Sequence, residues 1–251
     1  MSCVDIRGCR IGEGRPKVIL PIVERAEAAI LEKAAQFSTL QADCVDWRVD
    51  YFEGARAPGA VARCLAKMRV ILRDKLLLVT FRTKAESGEQ ALSHPEYLAF
   101  LRLILDTDCA DLLDIEFFTA GADLPNLVEQ AHSAGVAVVC SSHDFAKTPP
   151  RAELVCRMVQ MQQAGADLPK VAVMPQSRTD VLELLAATAE MADLHPETPV
   201  ITMSMGALGA VSRLAGEAFG SAMTFANPGQ ASAPGQVPLD IVNEVLDALH
   251  L

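Results

Sequence analysis

Lys170 stands in the middle of a short apolar run, GADLPKVAVMP (165–175), that reads as a strand stopping at a proline. Burying an ammonium group is expensive, and an unpaired one tends to give up its proton. A lysine that loses its proton easily is what amine nucleophiles require. A frayed strand end reaching out to water would accommodate the same residue. The residues around Lys170 therefore decide between the two.

Residues two apart on a strand share a face. In DCVDWRVD (43–50), Cys44, Asp46, Arg48 and Asp50 fall together, opposite Val45, Trp47 and Val49. KLLLVTFRT (75–83) places Thr80 and Arg82 on one face, and DLLDIEFF (111–118) does so with Asp114 and Glu116. VVCSSHDF pairs Ser141 with His143, and LPKVAVMP sets Lys170 with Ala172 and Met174. Five strands thus carry polar groups near their C-terminal ends, on the face opposite the apolar one. Of the five histidines (His94, His132, His143, His195 and His250), only His143 sits at the C-terminal end of a strand. Glu86 follows the strand that carries Arg82. A lysine nucleophile, a histidine proton carrier and a carboxylate that orients the imidazole make a Schiff-base site. Neighbouring arginines and partial desolvation would favour the neutral amine. Arg48, Arg82 and Arg213 point to an anionic substrate, most simply a carboxylate held bidentately.

The elements that must position these groups alternate along the chain. Strands are expected at 17–22, 43–50, 75–83, 111–118, 136–145, 168–175, 199–206 and 222–226. Helices are expected at 23–37, 58–73, 94–107, 124–135, 148–165, 177–194, 210–220 and 239–251. Eight strands, each followed by a helix, within one 251-residue domain fit a closed (β/α)8 TIM barrel, an α/β fold. An open doubly wound sheet is the competitor, but no G-x-G-x-x-G follows the first strand. Residues 1–16 alternate around a glycine-containing turn, which predicts an N-terminal β-hairpin closing the bottom of the barrel. Chemistry in such barrels gathers at the opposite, C-terminal mouth.

Composition narrows the function further. The net charge of −10 argues against non-specific binding to nucleic acid or an anionic membrane. No apolar run is long enough to span a bilayer, and MSCVDIRGCR lacks a signal-peptide core. The seven scattered cysteines contain no CxxC pair, and they read as reduced thiols of a cytoplasmic protein. Cys3 and Cys9 alone make a weak zinc site, so no metal is expected.

SMGALGAVSRLAG (204–216) could cradle a phosphate at a helix N-terminus, which keeps a class I aldolase acting on a phosphorylated substrate in play. FANPGQASAPGQVP (225–238) carries no cation where a second phosphate loop would sit. It reads instead as a lid, spanning 226–238, that closes over a hydroxylated substrate. A barrel that only binds such a ligand is the non-enzymatic alternative.

Six segments, in order along nearly the whole chain, resemble type I 3-dehydroquinate dehydratases: DWRVDYFE, TFRTKAESGE, SSHDF, PKVAVMP, MSMGALGAVSRLAGEAFGSAMTFA and ASAPGQVP. The resemblance implies dehydration of 3-dehydroquinate to 3-dehydroshikimate, in the shikimate pathway of aromatic amino acid biosynthesis. It implies that Lys170 forms an imine with the ring ketone, that His143 is the general acid and base, and that Glu86 orients it. Arg213 is then expected to hold the substrate carboxylate. Asp46, Arg48 and Arg82 contact the ring hydroxyls, and Ser232 and Gln236 close from the lid. No cofactor is implied, since the lysine imine is itself the electron sink. The resemblance also implies a cytoplasmic homodimer. Two positions depart from the family pattern. Asp46 stands where glutamate is usual, and Ser87 where glycine is common. Both are expected to tune affinity rather than abolish activity.

Overall fold

The computed structural model describes residues 2–229 and 233–251. Its strands are β1 (Val4–Ile6), β2 (Cys9–Ile11), β3 (Lys17–Ile22), β4 (Cys44–Arg48), β5 (Leu76–Thr80), β6 (Leu112–Glu116), β7 (Ala137–Asp144), β8 (Leu168–Val173), β9 (Ile201–Ser204), β10 (Met223–Asn227) and β11 (Val237–Pro238). Its α-helices are α1 (Glu27–Ser38), α2 (Ala60–Leu72), α3 (His94–Leu105), α4 (Phe117–Ala120), α5 (Leu124–Ser133), α6 (Arg151–Gln163), α7 (Arg178–Leu194), α8 (Gly206–Leu214), α9 (Gly216–Phe219) and α10 (Leu239–Ala248).

Strands β3 to β10 pair in parallel in chain order, with β10 beside β3. The remaining seam, between β9 and β10, is joined at its lower end by a parallel bridge from Val200 to Ser221. There the Ala222 amide donates to the Val200 carbonyl at 2.8 Å. Higher up, β11 pairs with β10 through Ala226–Val237 and Asn227–Pro238. The expected α/β barrel is the fold observed.

Alternation divides each strand between two cores. Val18, Leu20, Val45, Trp47, Leu77, Val79, Leu113, Val138 and Val171 face the helices. Ile19, Cys44, Leu76, Leu78, Leu112, Val139, Leu168, Ile201 and Met223 fill the lower lumen. Ile6 and Ile11 join that inner cluster from the β1–β2 hairpin, which plugs the barrel's floor as expected. Arg7 and Gly8 both have positive φ, the turn geometry that matches the twist of a two-residue hairpin.

Several elements differ from the periodicity reading for identifiable reasons. β4 stops at Arg48, and Asp50 lies in a 3-10 turn over Val49–Tyr51. Its carboxylate accepts Arg48 Nε and Nη2, both at 2.8 Å, along with the Arg82 and Glu89 amides. Those bonds turn the chain away from the strand direction. β6 stops at Glu116, and Phe117 opens α4. The helix expected at 210–220 starts earlier, at Gly206, and breaks at Ala215 into α8 and α9.

Candidate active site

Above the apolar floor, the inward positions become polar. Asp46 on β4, Asp114 on β6, Ser141 on β7 and Lys170 on β8 stand midway along their strands, and Thr80 on β5, Glu116 on β6 and His143 on β7 stand at or next to the C-terminal ends. Register pairs Ser141 with Lys170 and His143 with Ala172, so His143 sits one inward layer above the lysine. A pocket of about 100 Å³ opens on this layer. Asp46, Arg48, Arg82, His143, Lys170, Arg213 and Gln236 line it, joined by Phe145, Met203, Met205, Phe225 and Ala233.

Lys170 is buried, at 4% exposure, which excludes a frayed strand end. Its Nζ donates to Asp114 Oδ2 at 3.1 Å and lies 4.9 Å from the centre of the Phe225 ring. Asp114 also accepts Arg82 Nη2 at 2.8 Å and the Ser141 hydroxyl at 2.6 Å. Burial pushes the Asp114 carboxyl up, but Arg82 and Lys170 outweigh that and hold it below its ordinary value. Asp114 was legible as an inward carboxylate; the sequence held no sign that it would meet Lys170 across two strands.

His143 Nδ1 lies 2.7 Å from Glu86 Oε2, and the same oxygen accepts the His143 amide at 3.1 Å. This fixes the ring and leaves Nε2 for the pocket. Phe145 stacks alongside, its ring centre 6.3 Å away and tilted by 18°. Burial, then Arg82, Lys170 and Arg48, hold the imidazole well below its ordinary value. Burial lifts the Glu86 carboxyl to about 8, against the pull of Arg82. Both shifts have one sense: the buried pair resists separating charge, so the resting ring is the neutral form that can take a proton.

Glu86 ends a 3-10 turn over Lys84–Glu86, whose next residue, Ser87, is left-handed at φ 64. Only glycine takes that conformation without strain, which gives the departure at this position a physical meaning. Gly88 follows so closely that a Cβ there would lie 1.9 Å from the Arg82 carbonyl oxygen. The turn that carries Glu86 thus depends on glycine at 88.

The arginines divide into two kinds. Arg48 is paired bidentately with Asp50 and lies 5.0 Å from the centre of the Tyr51 ring. Arg82 donates to Asp114, Glu116, Ser141 and Glu86; burial disfavours its charge, but the carboxylates prevail and raise it. Arg213 is buried and meets no carboxylate among the described residues. Its Nη2 donates to the Pro234 carbonyl at 3.3 Å, its Nη1 approaches Met203 Sδ at 3.6 Å, and Nε has no partner there. Burial lowers the guanidinium to about 10. Such a cation, open to the pocket, is suited to an incoming anion.

Asp46 is buried, and its Oδ1 has no partner among the described residues. Burial lifts its carboxyl above the ordinary range despite Lys170 and Arg48. Gln236 lines the pocket from the 233–238 segment, whereas Ser232 lies outside the described residues. The phosphate cradle considered for 204–216 is covered. The Gly206 amide, at the start of α8, donates to Pro234, and a Cβ on Gly235 would lie 2.2 Å from the Gly206 carbonyl oxygen. Among the described residues, no three His, Cys, Asp or Glu side chains gather as a metal site.

Periodicity missed Phe225, Tyr51 and Phe145 as pocket walls, because apolar residues near a strand end look like ordinary core. It placed Asp50 inside a strand and gave Glu116 no role.

Known proteins resemble this chain over nearly its whole length. The sequence model described as type I 3-dehydroquinase matches residues 18–251. The chain is 46% identical to 3-dehydroquinate dehydratase of Bacillus licheniformis, covering 98% of this chain and 97% of that one. It is likewise 46% identical to that of Bacillus subtilis, over 100% and 98%. Among solved structures, type I 3-dehydroquinate dehydratase from Clostridium difficile, with covalent modified comenic acid, superposes with a TM-score of 0.96 at 42% identity, covering 99% of this chain and 98% of that one. These similarities span the whole barrel and all the segments that build the pocket. The chain belongs to the type I 3-dehydroquinase family.

Proposed function

We propose that the protein dehydrates 3-dehydroquinate to 3-dehydroshikimate, as a hydro-lyase of the shikimate pathway, through an imine on Lys170. The observation that carries this reading is one pocket that joins a buried lysine, a histidine–carboxylate pair and an arginine that meets no carboxylate among the described residues. Arg213 takes the substrate carboxylate and orients the ring. Lys170 Nζ adds to the ring ketone, and the ketone oxygen leaves as water to give the iminium. The iminium acidifies the adjacent C–H, and His143 Nε2 removes that proton to leave an enamine. The enamine electrons then expel the β-hydroxyl, which His143 protonates as it departs as water. Hydrolysis of the conjugated iminium returns the amine and releases the enone, for a net loss of one water.

Glu86 holds the His143 ring so that a single nitrogen faces the substrate. Arg48, Arg82 and Asp46 contact ring hydroxyls, and Gln236 with Ser232 closes from the 226–238 lid. Asp46 Oδ1, which has no partner among the described residues, meets a hydroxyl directly or through one water.

The test follows the ultraviolet absorbance of the conjugated enone when purified protein meets 3-dehydroquinate. The wild type is expected to turn over, and Lys170→Ala to fall to background while still folding, because Asp114 keeps Arg82 and Ser141. A wild type that binds the substrate without producing the enone would overturn the proposal.

A further inference from the structure

We infer that Glu116 is a positioning residue for the His143–Glu86 pair, taking the closer bond from Arg82 Nη1 and anchoring the turn that presents Glu86. Glu116 ends β6, is fully buried and does not line the pocket. Its carboxylate is saturated. Oε1 accepts Arg82 Nη1 at 3.0 Å and the Thr83 amide at 2.8 Å, and Oε2 accepts the hydroxyls of Thr83 at 2.7 Å and Thr119 at 2.6 Å. Its own amide donates to the Tyr97 hydroxyl at 2.8 Å.

Two consequences reach the pair. The first is mechanical. The Thr83 carbonyl accepts the amides of Glu86 and Gly88, so the turn that carries Glu86 is rooted in the residue Glu116 grips twice. The second is electrostatic. Arg82 Nη1 is shared by Glu116 at 3.0 Å, Ser141 at 3.0 Å and Glu86 at 3.4 Å. Glu116 is the nearer of these two carboxylates to Nη1, so Glu86 Oε2 makes its shorter bond to the imidazole, at 2.7 Å, and only the longer one to the guanidinium. Charges from every side face the pair: Arg82 beyond β5, Asp114 and Glu116 on β6, Lys170 on β8 and Arg48 on β4, with Tyr97 of α3 behind Glu116. Of these, Glu116 is the carboxylate that touches neither the pocket nor Lys170. Its charge can therefore be altered without removing a substrate contact.

The sign of the effect does not depend on which partner holds the shared proton. Removing a negative charge beside the pair disfavours proton binding at both sites, so the titration of the pair must move to lower pH. The inference rests on reading the pair as the acid–base group, and its test is chosen to stand apart from turnover. The test records ¹⁵N shifts of the His143 ring in substrate-free protein against pH, for wild type, Glu116→Gln and Glu116→Asp. Glutamine preserves the shape and an acceptor for the Thr83 amide but removes the charge. Aspartate keeps the charge but draws it back by one methylene.

The expected midpoint falls by about 0.5–1 pH unit in Glu116→Gln and by less in Glu116→Asp. The acid limb of turnover is expected to move with it, with kcat falling more than KM changes. A purely structural role would reverse the order, with the shortened aspartate doing more harm than the near-isosteric glutamine. That order, or an unmoved midpoint in Glu116→Gln, would overturn the inference. If Glu116→Gln does not fold, Glu116→Asp still decides, by a lowered or an unchanged midpoint. Absence of turnover in the wild type would instead overturn the proposed function and leave the titration result standing.

Discussion

At the residue scale, Glu86 and Arg213 take their chemistry from their surroundings. Glu86 is lifted by burial to about 8, from 4.5 when exposed. Between those values the folded protein keeps a proton that the unfolded chain has lost, so this group's contribution to stability declines as pH rises. His143 is shifted the other way, and its effect is confined to the region at and below its ordinary 6.5. From about pH 6.5 to about 8, Glu86 therefore contributes a fall in stability as pH rises. Urea unfolding across that window should show stability falling in the wild type and a flatter profile in Glu86→Gln. Equal slopes would mean that Glu86 ionises normally. Arg213 is tested by binding. Arg213→Ala should weaken a carboxylate ligand by about 1.5–3 kcal/mol while leaving a ligand without the carboxylate nearly unaffected. Equal losses for both ligands, read by calorimetry, would place the carboxylate elsewhere.

At the element scale, the short turn after β5 matters more than its length suggests. It holds Glu86 between Thr83 and Gly88, with Ser87 left-handed in between. Ser87→Gly should relieve about 0.5–1 kcal/mol of backbone strain and leave the His143–Glu86 bond in place. Gly88→Ala should instead cost about 1–3 kcal/mol, because its methyl group meets the Arg82 carbonyl, and should lower turnover by displacing Glu86. Thermal melts alongside turnover separate the two effects. This turn also marks where the sequence stops being readable. Alternation exposed the polar inward face of five strands, because a period of two is a local property. It could not show that Asp50 leaves the strand to grip Arg48, Arg82 and Glu89, because that bend is made by long-range hydrogen bonds. For the same reason Glu116 read as one more lumen carboxylate, with no sign that it roots the turn.

At the scale of the whole molecule, one barrel holds two opposed environments. Ile6, Ile11, Ile19, Leu76, Leu112 and Leu168 make a dry floor, and the charged layer lies above it. The floor supplies stability and the mouth supplies chemistry, so the two should separate on mutation. Ile11→Ala should cost about 2–4 kcal/mol in urea unfolding yet leave kcat and KM nearly unchanged. A large loss of turnover in the folded variant would mean that the hairpin acts on the site. The barrel itself was legible from the strand–helix repeat, and the hairpin from its alternation around a glycine. What stayed hidden was which inward groups pair. Lys170 meets Asp114 only because β6, β7 and β8 bring them together, and Arg213 lacks a carboxylate only because none of the described strands beside it supplies one.

The nucleophilic role proposed for Lys170 can be read from the covalent intermediate itself, by borohydride trapping. Protein incubated with 3-dehydroquinate and sodium borohydride would be examined by intact and peptide mass spectrometry. One stable reduced adduct is expected, mapped to Lys170 and absent in Lys170→Ala. Ligand binding without an adduct, or an adduct on another lysine, would contradict it.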